Sequence, residues 1–268
     1  MSDRMHVQVA DGVADVRLNR PEKLNALDPA MFEALVNTGR ELATEPSLRA
    51  VVLSGEGRGF CAGLDFASFM GMGGLHGGGG VRLAERETGA AVNFAQRAAW
   101  VWAELPVPVI AAVHGAAFGG GLQIALAADL RLVAPDARLS VMEIRWGLIP
   151  DMSGTQTLRH LVRLDVAKEL TFTGRIIDGR EAAALGLVTR VAEDPRAAAL
   201  AMAREIAGKS PDAIRAGKRL LNQAPLSTVG DGLALEARLQ RGLLGSANQV
   251  EAVTANLQKR PPTFGDPA

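Results

Sequence analysis

Apolar residues alternate near the start of the chain. Val7, Val9, Val13, Val16 and Leu18 predict two short strands around a turn at Asp11-Gly12, a hairpin signature. Asn19-Arg20-Pro21 ends the second strand. Asp28 before Pro29 reads as a helix cap with proline at the first helical position, and Met31, Leu35 and Leu42 continue that helix. The apolar run Ala50-Val51-Val52-Leu53-Ser54-Gly55 predicts a buried strand, and Val107 to Val113, closed by His114-Gly115, a second. An alanine-rich helix over 89–104 lies between them. Gly119-Gly120-Gly121 opens a helix from Leu122 to Ala128. Leu130 to Val133 and Arg138 to Val141 predict strands, and Ser153 to Val162 a helix.

Strands alternating with helices predict an α/β arrangement with crossover connections. From Arg163 onward the pattern changes: helical periods over 180–186, 195–208, 211–222, 230–242 and 247–258 dominate, and strand signals nearly vanish. This divides the chain into an α/β core, residues 1–195, and a C-terminal helical region, 196–268. Met70 to Gly80 is of low complexity. It reads either as a surface insertion or as a mobile flap over a binding site.

Composition narrows the classes. The 268 residues carry 29 Lys+Arg against 29 Asp+Glu, which argues against a general nucleic-acid or anionic-membrane binder. The single cysteine, Cys61, excludes a disulfide framework and a cysteine-based zinc site. The histidines His6, His76, His114 and His160 lie far apart, so no metal site is expected. The N-terminus lacks the apolar stretch of a signal peptide, and no run reaches the roughly 18 apolar residues of a membrane span. The expectation is a soluble, cytoplasmic protein.

Three segments carry chemistry. Gly59-Phe60-Cys61-Ala62-Gly63-Leu64-Asp65 is a close turn after a buried strand, in which Asp65 can cap a helix and backbone N–H groups near Leu64 point outward. In Ala111 to Gln123, three glycines at a helix start leave bare N–H groups at the positive end of the helix dipole. Tight packing explains those glycines equally well. A phosphate loop does not, because no Gly-Lys-Ser/Thr follows. In Ser140 to Thr155, Glu143 lies among Val141, Met142 and Ile144, and Asp151 follows a Gly-Leu-Ile-Pro bend. A carboxyl in apolar company is a candidate acid or base. The alternatives are a Glu143–Arg145 ion pair and a helix cap at Asp151 or Ser153.

In order, these segments resemble the crotonase superfamily, the enoyl-CoA hydratase/isomerase family. The resemblance runs from Asn19-Arg20-Pro21-Glu22-Lys23-Leu24-Asn25-Ala26-Leu27 through the FCAGLD turn, FGGGLQIALAADLR and MEIRWGLIPDMSGTQTLRHLV. It continues through Phe172-Thr173-Gly174-Arg175 and Ala184-Leu185-Gly186-Leu187-Val188 to Lys259-Arg260-Pro261-Pro262. It implies a fold of repeated ββα units with a C-terminal helical trimerisation part, assembled as a homotrimer or dimer of trimers. It also implies a coenzyme A thioester substrate and no cofactor beyond that coenzyme. By position, the amides of Leu64 and Gly120 would form the oxyanion hole. Lys23, Leu24 and Ala62 would lie near the coenzyme, and Lys259, on the last helix, would reach it, often from a neighbouring subunit.

Hydratases of this family use two glutamates, and the first corresponds here to Gln123. An amide has no proton to exchange at neutral pH. Asp151 falls where dienoyl-CoA isomerases of the family carry an aspartate. The resemblance with these changes implies an acyl-CoA double-bond isomerase in which Glu143 and Asp151 share the proton traffic. One alternative is a hydratase in which Gln123 and Glu143 hold the water and Asp151 supplies the acid. Another is a non-catalytic acyl-CoA-binding protein. The acyl-chain wall is expected within Phe66 to Gly80, and Phe94, Trp100, Trp102 and Trp146 are expected as core or subunit-contact residues. Cys61 is expected to be a packing residue.

Overall fold

The computed structural model describes residues 3–71, 83–86 and 89–267. Strands β1 (Met5–Ala10) and β2 (Val13–Leu18) form the expected hairpin, with Asp11 and Gly12 both at positive φ (51° and 75°) as such a tight turn needs. Next to β2 lie β3 (Ala50–Gly55) and β4 (Val109–Val113), both parallel to it. A second sheet is built from β5 (Ala116–Phe118), β7 (Arg138–Ser140) and β8 (Ile177–Asp178). The remaining strands, β6 (Leu130–Val133) and β9 (Arg190–Val191), complete the first sheet in the order β1-β2-β3-β4-β6-β9.

Every residue of β3 and β4 is buried, because both faces of this sheet are covered. Val51, Leu53, Val109 and Ala111 face the main core, which takes in α1 (Pro29–Ala43) and α3 (Phe94–Glu104). The alternate residues Ala50, Val52, Ile110 and Ala112 face Ala199 and Ala203 of α8 (Pro195–Ala207). The first helix beyond the expected boundary at residue 195 therefore seals the second face of the core.

Helix starts follow local chemistry. Asp28 Oδ1 accepts from Met31 N at 2.8 Å at the start of α1. Helix α3 begins at Phe94, later than the expected residue 89, because Asn93 and Gln96 form a reciprocal capping box there. Between them stands the short α2 (Phe66–Gly71). Then come α4 (Gly120–Ala127), α5 (Gly154–Leu161), α6 (Leu164–Thr173) and α7 (Gly179–Ala184). After α8 the chain forms α9 (Pro211–Gln223), α10 (Val229–Leu243) and α11 (Ala247–Gln258).

Four elements escaped the pattern. Strands β5, β8 and β9 are two or three residues long, too short to show alternation. Helix α6 carries Val166, Thr171, Phe172 and Thr173, residues of middling helix propensity. Of the glycine-rich segment 70–80, residues 72–80 lie outside the described residues. Among the described residues, no helix is long and apolar enough to cross a membrane.

Candidate active site

The turn between β3 and α2 is held from below by Asn25, which is fully buried at a φ of 55°. Its Nδ2 donates to the carbonyls of Glu56 and Gly59, at 2.9 Å each, and of Phe60 at 3.2 Å, while its Oδ1 accepts from Arg20 N at 2.8 Å. Leu27 N–H donates to Gly63 O at 2.8 Å and Asp65 N–H donates to Leu27 O at 3.0 Å, bracketing Leu64 in a parallel bridge. The Leu64 N–H lies between these bonds and donates to no backbone carbonyl among the described residues. Arg20 clamps the same bridge, with Nη1 2.7 Å from Asp65 Oδ2 and 3.2 Å from Ala26 O. Burial opposes ionisation of Asp65, but hydrogen bonds from Ser68 and Arg20 outweigh it and hold its pKa down to about 2. Asp65 also accepts from Ser68 N, so it caps α2 as expected.

The glycine-led helix lies alongside. Cys61 N–H donates to Ala116 O at 2.9 Å and Phe118 N–H donates to Cys61 O at 3.0 Å, joining the two turns. A methyl group on Gly63 would meet Phe118 O at 2.6 Å and Gly120 N at 3.6 Å. Gly119 takes a φ of 51°, and Gly120 is the first residue of α4, where an N–H has no partner within the helix. The Leu64 and Gly120 turns thus abut, with one N–H at the positive end of a helix. Cys61 is buried, its thiol pushed up to about 12 by burial, and its Sγ lies 3.1 Å from Asn25 O. It is a packing residue.

Behind the glycines, Gln123 and Glu143 are in direct contact. Gln123 Oε1 accepts from Met152 N and Gly154 N, at 2.8 Å each, and its Nε2 donates to Glu143 Oε1 at 2.5 Å. Glu143 begins a 3-10 turn, Glu143–Trp146, and is 8% exposed. Its Oε2 is buried without a hydrogen-bond partner among the described residues. A methyl on Gly119 would stand 3.3 Å from Glu143 Oε1, so this carboxyl faces the glycine turn. The Arg145 pairing does not form: Glu143 is buried, whereas Arg145, two residues on, is exposed. Burial raises the Glu143 pKa, and the charge of Asp151 raises it further. Asp151 is exposed as a residue, while partial burial of its carboxyl raises its pKa. Ser153, at the start of α5, makes no side-chain cap.

Of the expected coenzyme contacts, Leu24 and Ala62 come together, since Ala62 N–H donates to Leu24 O at 2.9 Å. Leu24 holds a left-handed φ of 49° just after the exposed Lys23. Lys259 lies just past the last helix, as the exposed C-cap of α11. Among the described residues no hydrogen bond joins its side chain to Lys23, Leu24 or Ala62. The pattern gave no sign of Arg20 and Asn25 as the residues fixing the Leu64 turn, although both sit in the first motif. Among the described residues, no group of three or more His, Cys, Asp and Glu side chains is placed to hold a metal ion.

Two unpaired amides beside a buried carboxyl can hold a developing oxyanion and move a proton next to it. On this two-faced α/β scaffold, that arrangement is compatible with an enzyme acting on an activated carbonyl. The family model described as enoyl-CoA hydratase/isomerase matches residues 8–267, and the chain belongs to this family. Mouse mitochondrial methylglutaconyl-CoA hydratase is 32% identical over 260 residues, covering 94% of this chain and 79% of the relative. Mouse mitochondrial enoyl-CoA hydratase domain-containing protein 2 is 34% identical over 266 residues, covering 94% and 84%. The crystal structure of enoyl-CoA hydratase from Bacillus anthracis superposes with a TM-score of 0.89 at 33% identity, covering 97% of this chain and 98% of that one. The fold is the crotonase fold, and the chain is an enzyme of the hydratase/isomerase family.

Proposed function

We propose that this enzyme moves a carbon–carbon double bond along the acyl chain of a coenzyme A thioester. The thioester oxygen lies on the amides of Leu64 and Gly120, and the coenzyme lies toward Lys23, Leu24 and Ala62. Glu143 Oε2 removes a proton from the carbon next to the thioester of a 3-enoyl group. The electrons move into the carbonyl, giving a dienolate whose oxyanion the two amides stabilise. The proton then returns to the carbon two positions further along, carried by Glu143 or passed through Asp151, and a 2-enoyl thioester leaves. No atom is gained or lost, and no cofactor beyond the coenzyme of the substrate is required.

The observation that carries this reading is the 2.5 Å contact between Gln123 and Glu143. No water fits between atoms at that distance, so Gln123 is spent on holding Glu143 Oε1 and a water held as in a two-glutamate site has no second carboxylate to receive it. Gln123 is also held by two backbone amides and cannot serve as a proton donor. A single base beside an oxyanion site supports a proton shift.

The hydratase reading rests on a different observation: the raised pKa of Asp151, which makes it a candidate acid in place of the missing glutamate. The experiment that separates the two gives the purified protein matched 2-enoyl-CoA and 3-enoyl-CoA substrates in D2O and reads the products by mass. Interconversion with deuterium uptake and little water adduct is expected. A dominant water adduct would make it a hydratase. Binding with neither exchange nor adduct would point to a passive acyl-CoA binder.

The assembly in this reading is a homotrimer or dimer of trimers. Exposed Leu221, Val229, Leu233 and Leu257 on the C-terminal helices support it, as large apolar side chains that a neighbouring copy would cover. Lys259 would then reach the coenzyme of a neighbouring copy. A cytoplasmic location is supported by the single, free cysteine.

A further inference from the structure

The ring centroids of Phe66 and Trp146 lie 4.2 Å apart, with the ring planes at 31°. The two rings come from the two segments that build the site. Phe66 follows Leu64 closely, and its N–H donates to Leu64 O at 3.1 Å. Trp146 ends the 3-10 turn that begins at Glu143. Side chains three residues apart in such a turn eclipse, so Trp146 stands on the Glu143 side, about 6 Å further along the turn. The ring contact therefore joins the oxyanion turn to the turn that carries Glu143, and an acyl chain that leaves the Leu64 and Gly120 amides past Glu143 meets it.

We propose that the Phe66–Trp146 pair is the end wall of the acyl site and selects short-chain unsaturated acyl-CoA substrates. This rests on the reading of the Leu64 and Gly120 amides as the thioester site. Trp146 is 58% exposed, an unusual state for so large an apolar ring, and its contact with Phe66 ties the base turn to the oxyanion turn. Short acyl groups end against the ring faces. Longer ones must separate the stacked pair.

Binding of saturated acyl-CoAs by calorimetry tests this without any chemistry. In an open apolar channel each added methylene tightens binding roughly fourfold. A wall reverses that trend. For the wild-type protein, decanoyl-CoA is expected to bind more weakly than butyryl-CoA or hexanoyl-CoA. Phe66→Ala and Trp146→Ala are expected to invert the order, and Trp146→Phe, which keeps a ring, to preserve it. If the alanine variants do not fold, Phe66→Leu and Trp146→Leu read the same inversion. Tighter binding of decanoyl-CoA by the wild type, or an unchanged order in the folded variants, would overturn the proposal. Failure of the wild type to bind any acyl-CoA would overturn the thioester reading beneath it as well.

Discussion

Gln123 donates its amide to Glu143 Oε1 at 2.5 Å while its own Oε1 is held by the Met152 and Gly154 amides. These two backbone bonds fix which end of the amide faces Glu143. The glutamate is thereby held by one oxygen and left free at the other.

Replacing that amide by a carboxyl changes the chemistry more than the shape. In Gln123→Glu one oxygen keeps the two backbone donors, and the other faces Glu143 at a distance two anions cannot share. The pair must hold a proton or move apart to admit a water. The expected result is a water adduct rising about 10²-fold relative to double-bond shift, with the rising limb of the pH profile moved upward. Unchanged product ratios in the D2O assay would show that Gln123 does not govern the reaction.

Glu143 must be ionised to take a proton. Burial and the Asp151 charge raise its pKa, so kcat/KM is expected to climb with pH through a value above the ordinary glutamate range. Asp151→Asn removes the neighbouring charge and should move that limb to lower pH. Glu143→Gln should lower kcat by roughly 10²–10⁴ while leaving acyl-CoA affinity nearly intact. A limb that does not move in Asp151→Asn would mean the carboxyls do not interact.

Gly63→Ala tests the amide pair through the backbone. Gly63 has a φ of +84°, and a methyl there would come within 2.6 Å of Phe118 O, a backbone atom with little room to retreat. The substitution should cost about 1–3 kcal/mol of stability and displace the Leu64 N–H. A kcat loss of about 10²–10³ with little change in KM is expected, as for a lost oxyanion donor. Normal kcat in a folded Gly63→Ala protein would remove Leu64 from the site.

The Arg20–Asp65 clamp should appear in the pH dependence of stability. The Asp65 pKa is depressed to about 2. Its contribution is therefore present above the unfolded-state value, about 3.9, and is lost as pH falls toward 2. Asp65→Asn should cost about 1–2 kcal/mol at neutral pH after solvent screening, since Asp28 still faces Arg20 at 3.5 Å. In urea titrations the difference between wild type and variant should shrink at acid pH. A difference independent of pH would assign the loss to packing.

Cys61 should resist alkylation. With its thiol pushed up to about 12 and its side chain buried, almost no thiolate exists at neutral pH. Labelling followed by mass is expected only when denaturant opens the core, and rapid labelling of the native protein would contradict this placement.

Much of the scaffold was legible from short-range chemistry. Asp11-Gly12, Asp28-Pro29 and the unbroken apolar run of β3 act within a few residues, so the hairpin, the cap of α1 and the buried strand followed from local sequence. The two-residue strands β8 and β9 did not, because such strands exist only through their partners. The site divides in the same way. The glycines before α4 and the carboxyls Glu143 and Asp151 could be named as candidates from their neighbours in the chain.

Sequence alone determined which groups were available: N–H groups near Leu64 and at the glycine-led helix start, a carboxyl at Glu143 and an amide at Gln123, with the family resemblance singling out Leu64 and Gly120. It left open whether Glu143 would meet Arg145 two residues away or a group far along the chain. The tertiary structure decided for Gln123, and it set Arg20 against Asp65 and Phe66 against Trp146. These pairs join residues on separate elements, and their distances depend on how β3, α4 and the Glu143 turn pack together. Local propensity does not encode that packing. It arises from burying the faces of all these elements in one core.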